Sequence, residues 1–288
     1  YSKAQETIML QHYDITNVDQ LKGKRGIGKT ILAKFKEFVE TGTLKTLEKA
    51  KGNPIYLFAK IFGIGPKKAK TLVEKDGIKT LAELKAKENE VLNNVQRKGL
   101  KYFEDIEKRI PRAEIKVYER LFKKAFDKLK GAESTFEIVG SYRRGARSSG
   151  DIDVIITDTP KNKKIFHEFI EALVADGVII EILSKGKIKS MVLGKLKGNP
   201  ARRIDFMFTP KNEYAFAVLY FTGSKPFNVT MREYAKTKGY SLNEHKFTTL
   251  KDKKPLSLSF PNEKSIFDFL QLEYRAPEER KDGRAVFI

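Results

Sequence analysis

Apolar and polar positions divide the chain into a helical first part and a mixed remainder. Residues 1 to about 50 read as short helices: Ile8, Met9 and Leu10 form an apolar patch, followed by a turn near Asp14 to Asn17. The segments Gly77–Leu84 and Gly99–Pro111 carry helical patterning, with Pro111 as the stop. Val117, Leu121, Ala125, Phe126 and Leu129 then recur at helical spacing and predict a core-facing stripe. From Phe136 the period shortens to two, as in strands. Phe136–Val139 is a short apolar run; Gly150–Ile156, Val178–Leu183, Met191–Leu193 and Ile204–Phe208 read as strands, a helix covers Ile165–Val174 before Gly177, and another leads from Asn212 to Tyr220. Strands interrupted by helices predict an α+β protein with a mixed sheet backed by helices. The expected divisions are 1–49, 50–112, 113–211 and 212–288.

Charge narrows the class of partner. The 288 residues carry 57 Lys+Arg against 37 Asp+Glu, a formal net charge of +20 and a pI near 9.7. Such self-repulsion points to a polyanion. No apolar run approaches membrane-spanning length and the N-terminus is polar, so a membrane partner is not expected and a soluble nucleic-acid binder is. Without cysteine there is no disulfide or thiolate zinc site. The three histidines, His12, His167 and His245, are scattered without ligand spacing and read as ordinary side chains. The chain opens at Tyr1, without Met and inside a helical pattern, so upstream residues are expected.

The densest candidate chemistry lies from Gly140 to Ile156, GSYRRGARSSGDIDVII. Asp151 and Asp153 sit at i and i+2 of a strand pattern, hence on one face. Paired carboxylates repel unless a cation lies between them, and hard oxygen ligands suit Mg²⁺. Just upstream, Arg143 and Arg144 are charged donors, and Ser141 with the neighbouring glycines lets backbone N–H groups approach a phosphate. A third acid, Asp205 in the strand pattern Arg202–Phe208, completes a possible cage. Two surface aspartates behind an Arg/Ser loop is the bland alternative; the combination with Gly140-Ser141 and Asp205 favours a metal-bound triphosphate.

The helical part repeats a Gly-Ile-Gly turn. Gly26-Ile27-Gly28-Lys29 and Gly63-Ile64-Gly65-Pro66-Lys67-Lys68 lie 37 positions apart (26 to 63), each ahead of a lysine-bearing helix. Glycines permit the tight turn, and free N–H groups at the helix start can face a DNA backbone phosphate. From Gln20 to Lys36 there are six basic residues and no acid. One copy would pass as a helix connector; two read as paired helix-hairpin-helix motifs.

On these residues the chain resembles the nucleotidyltransferase superfamily through Gly140-Ser141…Asp151-x-Asp153. With Arg202–Asp205 and Tyr220-Phe221-Thr222-Gly223-Ser224, it resembles family X DNA polymerases of the beta type over nearly its whole length. The resemblance implies a helical lyase-like domain (1–49), a helical DNA-binding subdomain (50–112), a catalytic palm (113–211) and a nascent-base-pair subdomain (212–288). It implies template-directed filling of short gaps in base excision repair, with two Mg²⁺ (Mn²⁺ may substitute) held by Asp151, Asp153 and Asp205. Ser141, Arg144 and Gly150 would hold phosphates, and Arg203 would orient Asp205. Tyr220 and Phe221 would crowd a 2′-hydroxyl beside a cis Gly223–Ser224 peptide, and Asn228 and Arg232 would meet the new base pair and template. Lys34 would form a Schiff base with an abasic sugar. A monovalent cation at each hairpin, gapped or nicked DNA and deoxynucleoside triphosphates as partners, and a monomeric state are also implied. An intracellular place is expected, nuclear in a eukaryote and cytoplasmic or virion-associated for a virus.

Two positions depart from the pattern. Lys225 replaces an aspartate near the incoming base, which predicts tighter nucleotide binding. Met207 replaces an arginine that pairs with the second metal aspartate in the open enzyme, which predicts easier closure. The segment 194–202 is short, leaving little room for a template-independent loop. The rivals are a template-independent or RNA-type nucleotidyltransferase and a non-catalytic DNA-binding protein.

Overall fold

The computed structural model describes residues 1–11, 13–129, 131, 134–158 and 164–286. The chain divides into two compact units, residues 1–15 with 109–288, and residues 16–108.

Among the described residues of the larger unit, nine strands form: β1 (Ile110–Pro111), β2 (Thr135–Ile138), β3 (Ser148–Ser149), β4 (Ile152–Asp158), β5 (Ile179–Lys185), β6 (Lys189–Gly194), β7 (Arg202–Pro210) and the paired β8 (Tyr240–Leu242) and β9 (Phe247–Thr249). Five of them form one mixed sheet in the order β2-β4-β7-β6-β5, where β4 and β7 run parallel and the other neighbours antiparallel. The sheet has two covered faces, which is why β4 reads as an almost unbroken apolar run. On one face Ile152, Val154, Ile156, Ile204, Phe206 and Phe208 pack against the helices Arg112–Asp127 and Lys164–Ala175. Phe122, Phe126, Phe136, Phe169 and Phe206 meet there largely edge-on, with centroids 5.1 to 6.5 Å apart for the edge-on pairs. On the other face Ile155 and Met207 pack with Val139 and with Ala217 and Val218 of the Tyr214–Thr222 helix.

The buried stripe of Arg112–Asp127 differs from the expected one. Ile115, Tyr118, Phe122, Ala125 and Phe126 are buried, whereas Val117 and Leu121 are only half-buried. Aromatic side chains cover the most area, so Tyr118 and Phe122 turn the helix toward themselves. Pro111 does not simply stop a helix: β1 pairs with β3, and Pro111 is the N-cap residue of the next helix.

Beyond β7, the helices Tyr214–Thr222, Lys225–Thr237 and Glu263–Phe269 close around Phe216, Phe227, Phe247, Phe260 and Phe267. The N-terminal helix Ser2–Met9 goes with this unit: Ala4 is buried, Thr230 Oγ1 donates to the Met9 carbonyl at 3.4 Å, and Asp14 pairs with Arg284 at 2.9 Å.

The smaller unit is helical, with a core of Phe58, Ile61, Ile64, Leu72, Leu84 and Leu100. Gln96 reaches from the Asn94–Lys101 helix to donate to the Gly63 carbonyl at 3.0 Å, fixing that turn. No helix among the described residues is long and apolar enough to cross a membrane.

Candidate active site

Parallel pairing of β4 and β7 puts Asp153 directly opposite Asp205. Asp151 precedes β4 by one residue, and carboxylate oxygens of Asp151, Asp153 and Asp205 all lie within 4.8 Å of one another. Three anions this close resist ionising together. Burial first, and then the Asp151 and Asp205 charges, push the Asp153 carboxyl up to about 7, against the opposing pull of Arg203 and Lys189. Burial also raises Asp205 above the usual range. Asp205 Oδ1 is buried without a hydrogen-bond partner among the described residues. A buried carboxylate oxygen that makes no hydrogen bond and faces two further acids fits a hard divalent cation.

Arg203 supplies the internal counter-charge. Its Nη2 pairs closely with Asp151 and its Nε lies 3.4 Å from Asp205 Oδ1, so its tighter partner is Asp151 although Asp205 was expected. Lys189 stands opposite Met207 on β6, in the row beside the aspartates, and its charge favours ionised Asp153 and Asp205.

A turn, Gly140 to Arg144, packs against these acids. Gly140 has φ +62°, and a Cβ there would overlap Asp153 Oδ2, so glycine is required both by the backbone and by the close approach. Ser141 Oγ donates to Ser149 Oγ at 2.8 Å. Arg144 is half-buried and donates to the Thr222 carbonyl. The β1–β3 pairing brings a further guanidinium alongside: Arg109 Nε donates to Ser148 Oγ at 3.2 Å, and a Cβ on Gly150 would lie 3.5 Å from Arg109 Nη1. Sequence reading missed Arg109 and Ser149.

The turn at the far side of the site carries the remaining residues of this unit. The Gly223–Ser224 peptide is cis, and Ser224 caps the Lys225–Thr237 helix through its Oγ. A Cβ on Gly223 would lie 3.4 Å from Arg144 Nη1, so this turn and the turn that ends at Arg144 touch. Tyr220 and Phe221 pack edge to face with centroids 5.0 Å apart, and Asn228 Nδ2 donates to the Tyr220 carbonyl at 2.6 Å. Arg232 lies one helical turn on and is exposed, lining a shallow hollow with Tyr220, Asn228 and Asn243. Lys225 is exposed at the helix start, with Nζ 3.5 Å from Gln5 Oε1.

The smaller unit holds the other expected residues. Gly26 and Gly63 adopt φ +76° and +83°, Ile27 and Ile64 are buried, and the extended Gly28 and Gly65 are N-cap residues of the helices Lys29–Thr41 and Pro66–Glu74. The two turns are thus built alike, each presenting helix-start N–H groups that have no intrahelical acceptor. Lys29 and Lys67 are exposed; Lys68 and Lys34 are half-buried. His167 Nδ1 is buried without a hydrogen-bond partner among the described residues, His245 pairs with Glu213 at 2.6 Å, and His12 lies outside the described residues.

Comparison with known proteins agrees with this layout. Residues 56–107 match the family profile described as the fingers domain of DNA polymerase lambda, 109–211 the DNA polymerase beta palm, and 217–281 the DNA polymerase beta thumb. The chain is 34% identical to DNA polymerase lambda of Arabidopsis thaliana, across 92% of this chain and 54% of that protein. Identity to DNA polymerase lambda of Rattus norvegicus is 32%, across 97% and 52%. A DNA nucleotidylexotransferase of Xenopus laevis is 27% identical, across 97% and 63%. The chain spans about half the length of the two lambda relatives.

Proposed function

The chain belongs to the family X DNA polymerases, and from that premise we propose that it extends a DNA primer by template-directed nucleotidyl transfer, filling short gaps during repair. The observation that carries this reading is the set of three carboxylates within 4.8 Å at the ends of paired parallel strands, beside a phosphate turn. Asp151 and Asp153 would hold one Mg²⁺ against the triphosphate, and Asp205 would join them around a second; Mn²⁺ fits the same donors. Bound there, such ions lower the pKa of the primer 3′-hydroxyl and offset charge on the departing pyrophosphate. Arg203 holds Asp151 and Asp205 in place. Ser141, Arg144, Arg109 and the backbone at Gly150 bind and orient the phosphates, so that the hydroxyl oxygen lies in line with the α-phosphate. Tyr220 and Phe221 crowd the 2′ position of the sugar, and Asn228 and Arg232 face the new base pair and template.

In the smaller unit, the hairpins at Gly26–Lys29 and Gly63–Lys68 would hold the backbone of gapped or nicked DNA, with a monovalent cation at each. Lys34 would act as the Schiff-base amine that releases a 5′-deoxyribose phosphate: its nitrogen attacks the sugar C1′ and water leaves, loss of a C2′ proton breaks the C3′–O bond and frees the DNA strand with its 5′-phosphate, and water then hydrolyses the imine to release the unsaturated sugar phosphate and restore the amine. Residues 1–49, 50–112, 113–211 and 212–288 serve as working boundaries for the lyase-like, DNA-binding, catalytic and nascent-pair parts. We take the protein to act as a monomer in the compartment that holds its DNA substrate.

The test is insertion opposite each of the four template bases in turn. Selective insertion of the complementary nucleotide supports the reading. Addition without regard to template would favour a second reading, template-independent extension, which the likeness to a DNA nucleotidylexotransferase keeps in view.

A further inference from the structure

The side of the Lys225–Thr237 helix that carries Asn228 and Arg232 continues beyond them. Lys225, Asn228, Arg232 and Lys236 recur at intervals of three, four and four residues, so they lie along one face. Lys236 is exposed one turn past Arg232, and Lys238, also exposed, is the C-cap residue. β8 packs beside this helix, with β9 paired to it. Asn243, which follows β8, lines the hollow with Asn228 and Arg232. At the opposite end of the strand pair the Leu250 N–H donates to the Gly239 carbonyl at 2.9 Å, which brings the turn after β9 to the end of the helix.

That turn is closed from within and leaves its lysines outside. The Thr249 N–H donates to the Lys254 carbonyl at 2.9 Å, the Lys254 N–H donates to Thr249 Oγ1 at 3.1 Å, and Thr249 Oγ1 donates to Asp252 Oδ1. Asp252 is thus held by a hydroxyl of its own turn, with Lys254 Nζ 3.9 Å away. Lys253 takes φ +55° at the turn, and both it and Lys251 are exposed without an ion-pair partner among the described residues.

Charge along this stretch is one-sided. Residues 236–254 hold six lysines against two acids, Glu244 and Asp252, an excess of four. Lys236 pairs with Glu233 and Lys238 donates to the neutral Gln271 at 3.0 Å. Exposed pairs of this kind are weak, so both cations remain available to a polyanion. From Arg232 to Lys238 the helix rises about 9 Å, the length of roughly three nucleotide steps. Lysines here would hold phosphates and leave base edges unread.

Resting on the reaction assigned above, we propose that this face is a track for single-stranded template beyond the templating base. Arg232 stands at its start, Lys236 and Lys238 continue it, and the Lys251–Lys254 turn forms its far end. Substrates with an open template, such as longer gaps and recessed ends, gain affinity from it, whereas a single-nucleotide gap does not reach it.

The test compares binding by fluorescence anisotropy, without nucleotide or metal, to a recessed duplex with a 5′ template overhang of about ten nucleotides, to a blunt duplex and to a single-nucleotide gap. Replacing Lys236, Lys251 and Lys253 together with alanine is expected to weaken binding to the overhang about tenfold near 0.1 M salt and to lower the salt slope by about 2, roughly 0.7 for each lost phosphate contact on a single strand. Blunt duplex and single-nucleotide gap are expected to bind as to the parent. A control that removes three exposed lysines elsewhere, Lys116, Lys123 and Lys124 of the Arg112–Asp127 helix, is expected to leave all three substrates unchanged. Equal losses in the two triple variants would reduce the effect to net charge and overturn the proposal. Equal losses on blunt and overhanging duplex would overturn it as well. Parental affinity and slope on the overhang would do the same and leave these lysines to an acidic protein partner. If the triple variant does not fold, Lys251→Gln with Lys253→Gln must lower the slope by about 1, and a parental slope there overturns the proposal. A parent that inserts no nucleotide refutes the assigned reaction instead, and the binding series still decides whether these lysines hold a single strand.

Discussion

Asp153 and Asp205 are direct register partners on the parallel strands β4 and β7, and Asp151 completes a triad around them. Their burial and, after it, their mutual repulsion have a thermodynamic signature. Asp153 titrates near 7 in the folded metal-free protein, against an ordinary value of 3.8. Between these values the folded state holds a proton that the unfolded state has lost, so metal-free stability falls as pH rises through this window. Urea denaturation from pH 4 to 7.5 should show this slope, and Asp153→Asn should flatten it and be the more stable protein at pH 7.5. Added Mg²⁺, which binds the ionised form, should stabilise the parent more at pH 7.5 than at pH 5. A parent whose stability rises steadily over the same range would contradict the crowded triad.

Gly140 meets Asp153 at a spacing that leaves no room for a methyl group, and its φ of +62° adds to the constraint. Gly140→Ala must displace the Asp153 carboxylate or the turn, a strain of about 1–3 kcal/mol. Mn²⁺ affinity measured by calorimetry should drop on the order of tenfold. Parental affinity would show that the turn is more compliant than its packing indicates.

Lys225 adds a cation at the start of the helix that follows the Gly223–Ser224 turn. It is exposed, so its contribution to holding a triphosphate is about 1 kcal/mol, roughly a fivefold effect on nucleotide affinity. Lys225→Asp should weaken nucleotide binding by about that factor while leaving the melting temperature unchanged or slightly higher, since an acid suits a helix N-terminus. Unchanged affinity would remove Lys225 from the site.

Met207 packs with Ile155 and Val218 where the family resemblance leads one to expect an arginine. Its neighbour across the strand pair is Lys189, whose charge already acts on Asp153 and Asp205. Met207→Arg adds a further cation beside Asp153, which should compete with the divalent ion and slow nucleotide-induced closure several-fold in stopped-flow fluorescence. Equal closure rates would refute the role assigned to this substitution.

Lys67 and Lys68 follow the second glycine turn at the start of the Pro66–Glu74 helix. As phosphate ligands they should act alike on every sequence. Replacing both with alanine should weaken duplex binding uniformly and reduce the salt slope by about 2, one unit for each phosphate no longer neutralised. An unchanged slope would make them ordinary surface lysines.

The clustering of the acids, the Gly140 turn and the two Gly-Ile-Gly turns were legible in the sequence because each depends on spacing within a few residues: a two-residue alternation, or glycines ahead of a helix. What escaped depends on pairings between distant segments. Arg109 reaches Gly150 only because Ile110 and Pro111 pair with Ser149 and Ser148. Glu263 meets Arg143 across 120 positions, and nothing near either residue announces the other. Lys189 comes near the aspartates through the β6–β7 register. Arg203 was recognised, but its tighter partner is Asp151, a choice made by side-chain reach. The stripe on Arg112–Asp127 was misjudged because aliphatic spacing was counted while Tyr118 and Phe122 hold the core.

The central claim is tested most directly by one-nucleotide insertion into a single-nucleotide gapped duplex bearing a 5′-deoxyribose phosphate, with all four nucleotides and Mg²⁺, for the parent and Asp205→Ala side by side. The account predicts insertion of the complementary nucleotide by the parent and a loss of about a thousandfold in the variant, as expected for losing several kcal/mol of metal-assisted stabilisation. Release of the sugar phosphate, which draws on Lys34, should persist in that variant. Equal insertion by both proteins, or none by the parent, would contradict it.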